Sequence, residues 1–330
     1  MDAGAFMALL RASNPVWHED DGDPVRWIFR GHRNVSWRLK PRAWRSAHEG
    51  NPLHNLLTGL AQAEVEATEP VERGTALHRA LAWTHGEKIV LNEFRRIGWQ
   101  MGFDVVEPVS EYAMDLAYGP SVIDDTRAEP DCYSPFIRAE DIGIAQHYGV
   151  PTRFLDWTFN PMFAVFFAQE DYAAGLDQTD LCVWALDMHA ITMMHHWEDG
   201  IGRNLMRSLV PRRRGNDFIT AQDGLLLEIE HKWALGFFER NGDWPSVQDV
   251  VYAIHKEEET DPDEPDYYLY DEAHPMLRRI VLPASEIPTL RLMLQREGIT
   301  RERLMPTLEN AARAAVQAVS KFKALKEELP

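Results

Sequence analysis

The sequence predicts an α+β fold with a mixed β core, a helical insertion and C-terminal helices. Residues 24–32, PVRWIFRGH, alternate apolar and polar side chains and stop at Gly31, which is typical of a strand. Between residues 53 and 100 the apolar side chains recur instead at the spacing of several helices. Later strand and helix patterns do not alternate regularly, so the chain favours an α+β fold over a doubly wound parallel sheet.

The other elements follow from local patterns along the chain. Short apolar or alternating runs predict strands at residues 36–45 (interrupted by Pro41), 152–157, 180–187, 217–222, 224–230 and 276–283. Apolar spacing and end signals predict helices before Pro15 and at residues 110–118, 138–149, 161–172, 287–298 and 306–325. Asn160 and Pro161 are a typical N-cap and first helical residue, and they follow the strand at 152–157 directly.

These elements divide the chain of 330 residues into three parts. Residues 1–24 form an N-terminal helix and lead-in, and residues 307–330 form a C-terminal helix. Residues 25–306 form one α+β domain that includes the helical insertion at 53–100 and an acidic loop at 257–272. The loop contains nine acidic residues and two prolines, a composition that resists packing.

Composition limits the classes of function. The net charge of −18, from 34 basic and 52 acidic residues, disfavours general nucleic-acid binding, which depends on neutralising phosphates. The acidic balance is reversed locally at Arg212, Arg213 and Arg214. These three arginines form either a solvated turn or a site that holds a phosphate. Cys132 and Cys182 lie far apart, which favours a reducing, cytoplasmic compartment. The sequence predicts neither a signal peptide nor a membrane-spanning segment.

Standard catalytic motifs are absent from the sequence. The chain contains no GxGxxG after the first strand, no GxxxxGK[ST], no HExxH and no GxSxG. His195 and His196 are adjacent and point apart on a regular element, so we expect no metal.

Polar residues gather at one strand-to-helix joint, in AQHYGVPTRFLDWTFNPMFAVFFA (residues 145–168). The N–H groups of the helix that starts at Pro161 favour an anion. Arg153 and Asp156 are three positions apart on the strand, so they face opposite ways. Asp156 is predicted to cap the helix or to pair with an arginine. Arg30 leaves the first strand beside Gly31, where the backbone can be approached closely.

Several motifs, in this order, resemble the FRG-domain family, which is named for its Phe-Arg-Gly motif. They are FRG at 29–31, LKPRAWR at 39–45, the helix from Glu87 to Phe94, residues 145–168, residues 203–226 and residues 287–306. The resemblance covers about residues 25–306. Such domains occur in bacterial and phage proteins, and their layout resembles the ADP-ribosyltransferase fold. The resemblance therefore implies a toxin or defence effector that uses NAD as a substrate, with a protein or nucleic-acid acceptor and an antitoxin or other partner protein.

The resemblance also implies roles for individual residues. Arg30 matches the basic residue on the first strand of the transferase fold, and Thr158 matches its small hydroxyl residue. Gln222, at the end of the predicted strand 217–222, stands where a glutamate would hold the ribose. His147 or Asp156 is expected to serve as a base for the acceptor, and Tyr148 to stack on nicotinamide. Arg30, helped by the helix that starts at Pro161, is expected to hold the diphosphate, and Gly31, Arg153 and Asn160 are further residues expected to bind the cofactor.

Two other classes of function stay open on the sequence. The arginine-rich residues 203–214, near Gln222, favour a nucleotide- or nucleic-acid-binding module, or an enzyme that acts on such ligands without NAD. In a protein–protein interaction module, the motif at 145–168 would be purely structural.

Overall fold

Six antiparallel strands form one open sheet with helices on both faces. The computed structural model describes residues 1–18, 27–51, 53–55, 72–102, 139–172, 179–188, 205–211, 217–258 and 276–327. The strands are β1 (Trp27–His32), β2 (Phe154–Thr158), β3 (Leu181–Asp187), β4 (Met206–Leu209), β5 (Gly224–Ile229) and β6 (Leu277–Leu282). Their order across the sheet is β4-β5-β2-β1-β3-β6.

Ten α-helices lie in the part of the chain that the structure describes. They are α1 (Ala3–Leu10), α2 (Ala76–Gln100), α3 (Ala139–His147), α4 (Pro161–Glu170), α5 (Asp217–Ala221), α6 (His231–Asn241), α7 (Val247–Glu258), α8 (Ile287–Arg296), α9 (Arg301–Leu304) and α10 (Leu308–Glu327). Three short 3-10 helices span Pro15–Trp17, Arg42–Trp44 and Ala284–Glu286.

Two hydrophobic cores lie on the two faces of the sheet. On one face, Leu155 and Trp157 of β2 pack with side chains of α2, α6 and α7, including Phe238. On the other face, Phe29 of β1 and Val183 of β3 pack with α1, α4 and α8. Because both faces are covered, the central strands are apolar on both sides, and a buried polar residue there needs a partner.

The joint between β2 and α4 confirms the prediction that a strand leads directly into a helix capped by Asn160. Asn160 is the N-cap of α4, since its side-chain oxygen accepts the N–H of Met162, and Pro161 is the first helical residue. Gly149, after α3, adopts the left-handed φ of +92° that ends that helix. The predictions for the N-terminal helix, β1, β3, β5, β6, α8 and α10 are also confirmed in type, with shifts of a few residues at their ends.

Two predicted strands are wrong, and several elements were not predicted. Residues 36–45 contain the 3-10 helix Arg42–Trp44 in place of an extended segment, because Trp44 bonds back to Pro41. Residues 217–221 form the helix α5, and Gln222 continues its hydrogen bonding by donating its N–H to Phe218 O at 2.9 Å. The strand β4 and the helices α6 and α7 had no prediction. Over residues 76–100, α2 is one continuous helix of 25 residues instead of several, and the helix predicted around residues 56–65 lies outside the described residues.

Some predictions lie outside the described residues. These concern the helix at 110–118, Cys132, the histidines at 195–196, the arginines at 212–214 and residues 259–272 of the acidic loop. None of the helices in the described ranges combines the length and the apolar character needed to cross a membrane.

Candidate functional site

A cavity of about 330 Å³ opens where β1 and β2 diverge. β1 pairs with β3 at six positions and β2 pairs with β5 at five, but β1 and β2 pair only at Phe29 and Thr158. Beyond this contact the two halves of the sheet separate, and polar side chains line the gap. The polar lining residues are Arg30, Gln146, His147, Asp156, Thr158 and Gln222.

Arg30 links the two halves of the sheet across this gap. Its Nη1 donates to the backbone carbonyl of Asp156 and lies 3.9 Å from the carboxylate oxygen Oδ2 of the same residue. Its Nε donates to Nε2 of His32 at 3.4 Å. Burial lowers the pKa of the guanidinium, and the carboxylate of Asp156 opposes the shift. Because arginine is not deprotonated in proteins, the group keeps its positive charge.

Asp156 is the only carboxylate among the described residues that line the cavity. Its side chain is 59% exposed, whereas the neighbouring Leu155 and Trp157 are buried in the core. Because this residue lines the cavity and is exposed to solvent, its carboxylate lies at the mouth of the cavity, beside Arg30. The prediction that Asp156 pairs with an arginine is therefore confirmed, and the helix cap is Asn160 instead.

An imidazole and a phenyl ring form one wall of the cavity. His147 ends α3 and stacks on Phe218 of α5, with ring centroids 3.5 Å apart and an interplanar angle of 22°. Burial lowers the pKa of His147, and the charge of Asp156 opposes this shift. The ring is therefore neutral at pH 7 and can accept a proton. Tyr148 makes an edge contact with Phe218 but is 66% exposed and lies outside the cavity lining.

Thr158 and Gln222 line the cavity together, as the sequence order implied, but both side chains are engaged. The Thr158 hydroxyl donates to the backbone carbonyl of Gln222 at 2.7 Å and accepts the N–H of Asn160 at 3.0 Å. The Gln222 amide donates to the carbonyl of Leu304, at the end of α9, at 3.1 Å. These bonds fix the floor of the cavity, so Thr158 acts on the shape of the site.

Three residues predicted to bind the cofactor have other contacts in the structure. Arg153 does not lie at the cavity, contrary to its predicted role in binding the cofactor. It is fully buried elsewhere in the core, and its Nε donates to Oε2 of Glu87 at 3.2 Å. Asn160 uses its side chain as the helix cap, and its carbonyl accepts the N–H of Phe163, so the first N–H groups of α4 are occupied. Gly31 lines the cavity, but a Cβ there would lie 2.0 Å from the carbonyl oxygen of Ala164. Its role is the close packing of β1 on α4.

Sequence reasoning missed one residue of the cavity wall and one partner of Arg30. Phe218 was assigned to a strand, and only the structure stacks it on His147. His32 follows Gly31 in β1 and is buried, and burial together with the charges of Arg30 and Arg45 lowers its pKa to about 3. No three histidine, cysteine or acidic residues of the described ranges are grouped closely enough to hold a metal ion.

Comparison with known proteins bears on a segment that forms part of this site. The family model of the FRG domain matches residues 124–175. The matched segment includes α3, β2 and α4, and thus His147, Asp156 and Thr158, so the resemblance seen in the sequence is confirmed for this segment. No curated protein and no solved structure matches the chain.

Proposed function

We propose that the cavity binds NAD and cleaves its bond between nicotinamide and ribose, as ADP-ribosyltransferases do, so that ADP-ribose passes to an acceptor. One observation carries the proposal: Arg30 and Asp156, a guanidinium and a carboxylate 3.9 Å apart, meet at the mouth of a cavity with an aromatic wall. This pair suits a dinucleotide. The guanidinium would bind its phosphates, and the carboxylate would face the nearby ribose, which becomes positively charged when the bond breaks.

The chemistry that this arrangement supports resembles glycoside hydrolysis. The bond between the ribose C1′ and the nicotinamide nitrogen breaks, and the electron pair leaves with nicotinamide, which becomes neutral. The sugar passes through an oxocarbenium-like state that the carboxylate of Asp156 stabilises electrostatically. The nucleophile of the acceptor then forms a bond to C1′ and releases its proton to the neutral imidazole of His147.

The dimensions of the cavity indicate which part of NAD enters it. A volume of about 330 Å³ lies at the lower end of the range for ligand pockets, so it accepts the nicotinamide–ribose half better than a whole dinucleotide. The rings of His147 and Phe218 offer flat apolar surface beside this space. The two phosphates would then lie at the mouth, next to the guanidinium of Arg30.

Nucleotide binding without cleavage is the second candidate, and Gln222 favours it. This residue stands where a transferase would hold the ribose with a glutamate, and its amide already donates to the carbonyl of Leu304. A neutral, engaged side chain holds a ribose hydroxyl less strongly than a carboxylate. Under this second reading the protein binds NAD or another nucleotide and releases no nicotinamide.

Release of nicotinamide from NAD, measured by chromatography, distinguishes the two candidates. We expect the wild-type chain to release nicotinamide and Asp156→Asn to release it on the order of 100-fold more slowly, because the charge is lost while the shape is kept. The matched control is Glu239→Gln, which removes an exposed carboxylate from α6, a helix that does not line the cavity. Wild-type protein that binds NAD but releases no nicotinamide would favour the binding module.

A further inference from the structure

Three arginines lie near one another beside the mouth of the cavity. Arg30 comes from β1 and lines the cavity, whereas Arg42 begins the 3-10 helix Arg42–Trp44 and Arg45 directly follows it, outside the lining residues. Nη1 of Arg42 donates to the carbonyl of Gly149 at 3.1 Å, two residues after His147 in the cavity wall. Arg45 lies close enough to Arg30, Arg42 and Asp156 for their charges to act on it.

The anchoring of these arginines leaves their charge available. Nε of Arg45 donates to the carbonyl of Lys40 at 2.9 Å, and Arg42 likewise bonds to a backbone carbonyl. A carbonyl fixes the direction of a guanidinium but does not neutralise it. Both side chains are partly exposed, and within the described ranges no carboxylate lies within 4 Å of either one. Their other N–H groups can therefore reach a ligand.

Three other arginines of the same protein are held differently. Arg153, Arg207 and Arg301 each contact a carboxylate, that of Glu87, Glu228 and Glu170 respectively. These ion pairs are neutral as units and have no need of an outside anion. Arg42 and Arg45 instead bond to backbone carbonyls, and of the three arginines near the cavity mouth only Arg30 has a carboxylate within 4 Å in the described ranges, that of Asp156.

The nearest acidic groups do not balance the cluster. Asp156 faces Arg30, and Glu49 is occupied by Nζ of Lys40 at 3.6 Å and by the N–H of Ser46 at 2.9 Å. Burial, followed by the like charges of Arg30 and Arg42, lowers the pKa of Arg45 to about 10. Like charges held together repel one another, and a bound anion relieves that repulsion.

We propose that Arg30, Arg42 and Arg45 together bind the diphosphate group of a dinucleotide at the mouth of the cavity, a placement that rests on the proposed function. Guanidinium groups suit this ligand because their planar forks donate paired hydrogen bonds to phosphate oxygens. Arg30 then serves the phosphate next to the nicotinamide ribose, and Arg42 and Arg45 hold the remainder of the diphosphate outside the cavity.

Calorimetric titration of the full chain with inorganic pyrophosphate and with ADP tests this site. We expect Arg42→Gln and Arg45→Gln each to weaken binding on the order of 10-fold or more, the usual effect of losing a charged hydrogen bond. Arg45→Lys should recover only part of the affinity, because an ammonium keeps the charge but loses the fork. The matched control is Arg240→Gln, an exposed arginine of α6, which should bind like the wild type.

The outcomes separate this site from the proposed reaction. If pyrophosphate and ADP bind through Arg42 and Arg45 but NAD releases no nicotinamide, the phosphate site stands and the transferase reaction falls. If NAD is cleaved while both variants bind pyrophosphate like the wild type, the reaction stands and this site is wrong. Wild-type protein that binds neither probe also overturns the site. Should Arg45→Gln fail to give the wild-type circular dichroism spectrum, Arg42→Gln alone decides whether the arginines bind the probes.

Discussion

Replacing Glu87 by glutamine tests the buried ion pair that holds the start of β2. The carboxylate of Glu87 accepts the backbone N–H of Arg153 at 2.6 Å and its Nε at 3.2 Å. Both side chains are only 1% exposed. The strand that begins here carries Asp156 and Thr158, so the pair connects the core to the position of the site.

The expected loss of stability follows from the burial of the pair. Removing one partner of a buried ion pair costs about 3–5 kcal/mol, because the other charge stays in the core without compensation. Here the charge of Glu228 also acts on Arg153. Once Glu87 is neutral, the carboxylate of Glu228 still compensates the charge of Arg153 in part. We therefore expect a loss at the lower end of the range, about 3 kcal/mol.

Urea unfolding at pH 7, followed by tryptophan fluorescence, measures this loss. The control on the same helix is Glu93→Gln, which breaks a partly exposed pair with Arg96 and should cost about 0.5 kcal/mol. In the double variant Glu87→Gln with Arg153→Met no buried charge is stranded, so the double variant should be more stable than Glu87→Gln alone. A Glu87→Gln variant as stable as Glu93→Gln would refute the reasoning.

Two further perturbations probe the surroundings of the cavity. In Gly31→Ala the new Cβ would lie 2.0 Å from Ala164 O and 2.7 Å from Ala168 N, so α4 must move, and we expect the free energy of unfolding to fall by about 3 kcal/mol. The control is Gly98→Ala, which has open space around its Cβ and should be at least as stable as the wild type. Equal urea midpoints for the two variants would contradict the close packing of β1 on α4. His32 has a folded-state pKa of about 3, below its unfolded value, so the unfolded chain takes up a proton first and stability falls as the pH drops below 6.5. Between pH 7 and pH 5, His32→Gln should therefore lose about 2 kcal/mol less stability than the wild type in urea titrations, and identical losses would show that His32 is not held neutral.

The sequence predicted the elements whose signals are local. The joint between β2 and α4 was predicted correctly because its signal is two adjacent residues, the helix cap Asn160 and the first helical residue Pro161. The strand predicted at residues 217–222 was wrong because a pattern of β-branched residues over only six positions does not distinguish a strand from a short helix. The chain there turns sharply, since Asp223 adopts a φ of +46° before Gly224.

The candidate site was predictable only in part, for a similar reason. Arg30, Asp156, His147, Thr158 and Gln222 line one cavity, as the order of the motifs implied. Alternation along β2 predicted that Arg153 and Asp156 face opposite ways, but not which of them faces the core. The partner that decides this, Glu87, is 66 residues away in the chain.

A similar limit applies to the arginines at the cavity mouth. The segment LKPRAWR at 39–45 contains three basic residues and no acid, a signal that could have indicated an anion site. Their approach to Arg30 depends on tertiary packing that no local pattern records.

Calorimetric titration of the full chain with NAD tests the central claim most directly, that the cavity between β1 and β2 is an NAD site. We predict saturable binding by the wild type that Arg30→Ala removes, because Arg30 supplies the positive charge at the mouth of the cavity. Arg240→Ala, on α6, should bind NAD like the wild type. Folded wild-type protein that gives no binding heat with NAD at any of several temperatures would contradict the account.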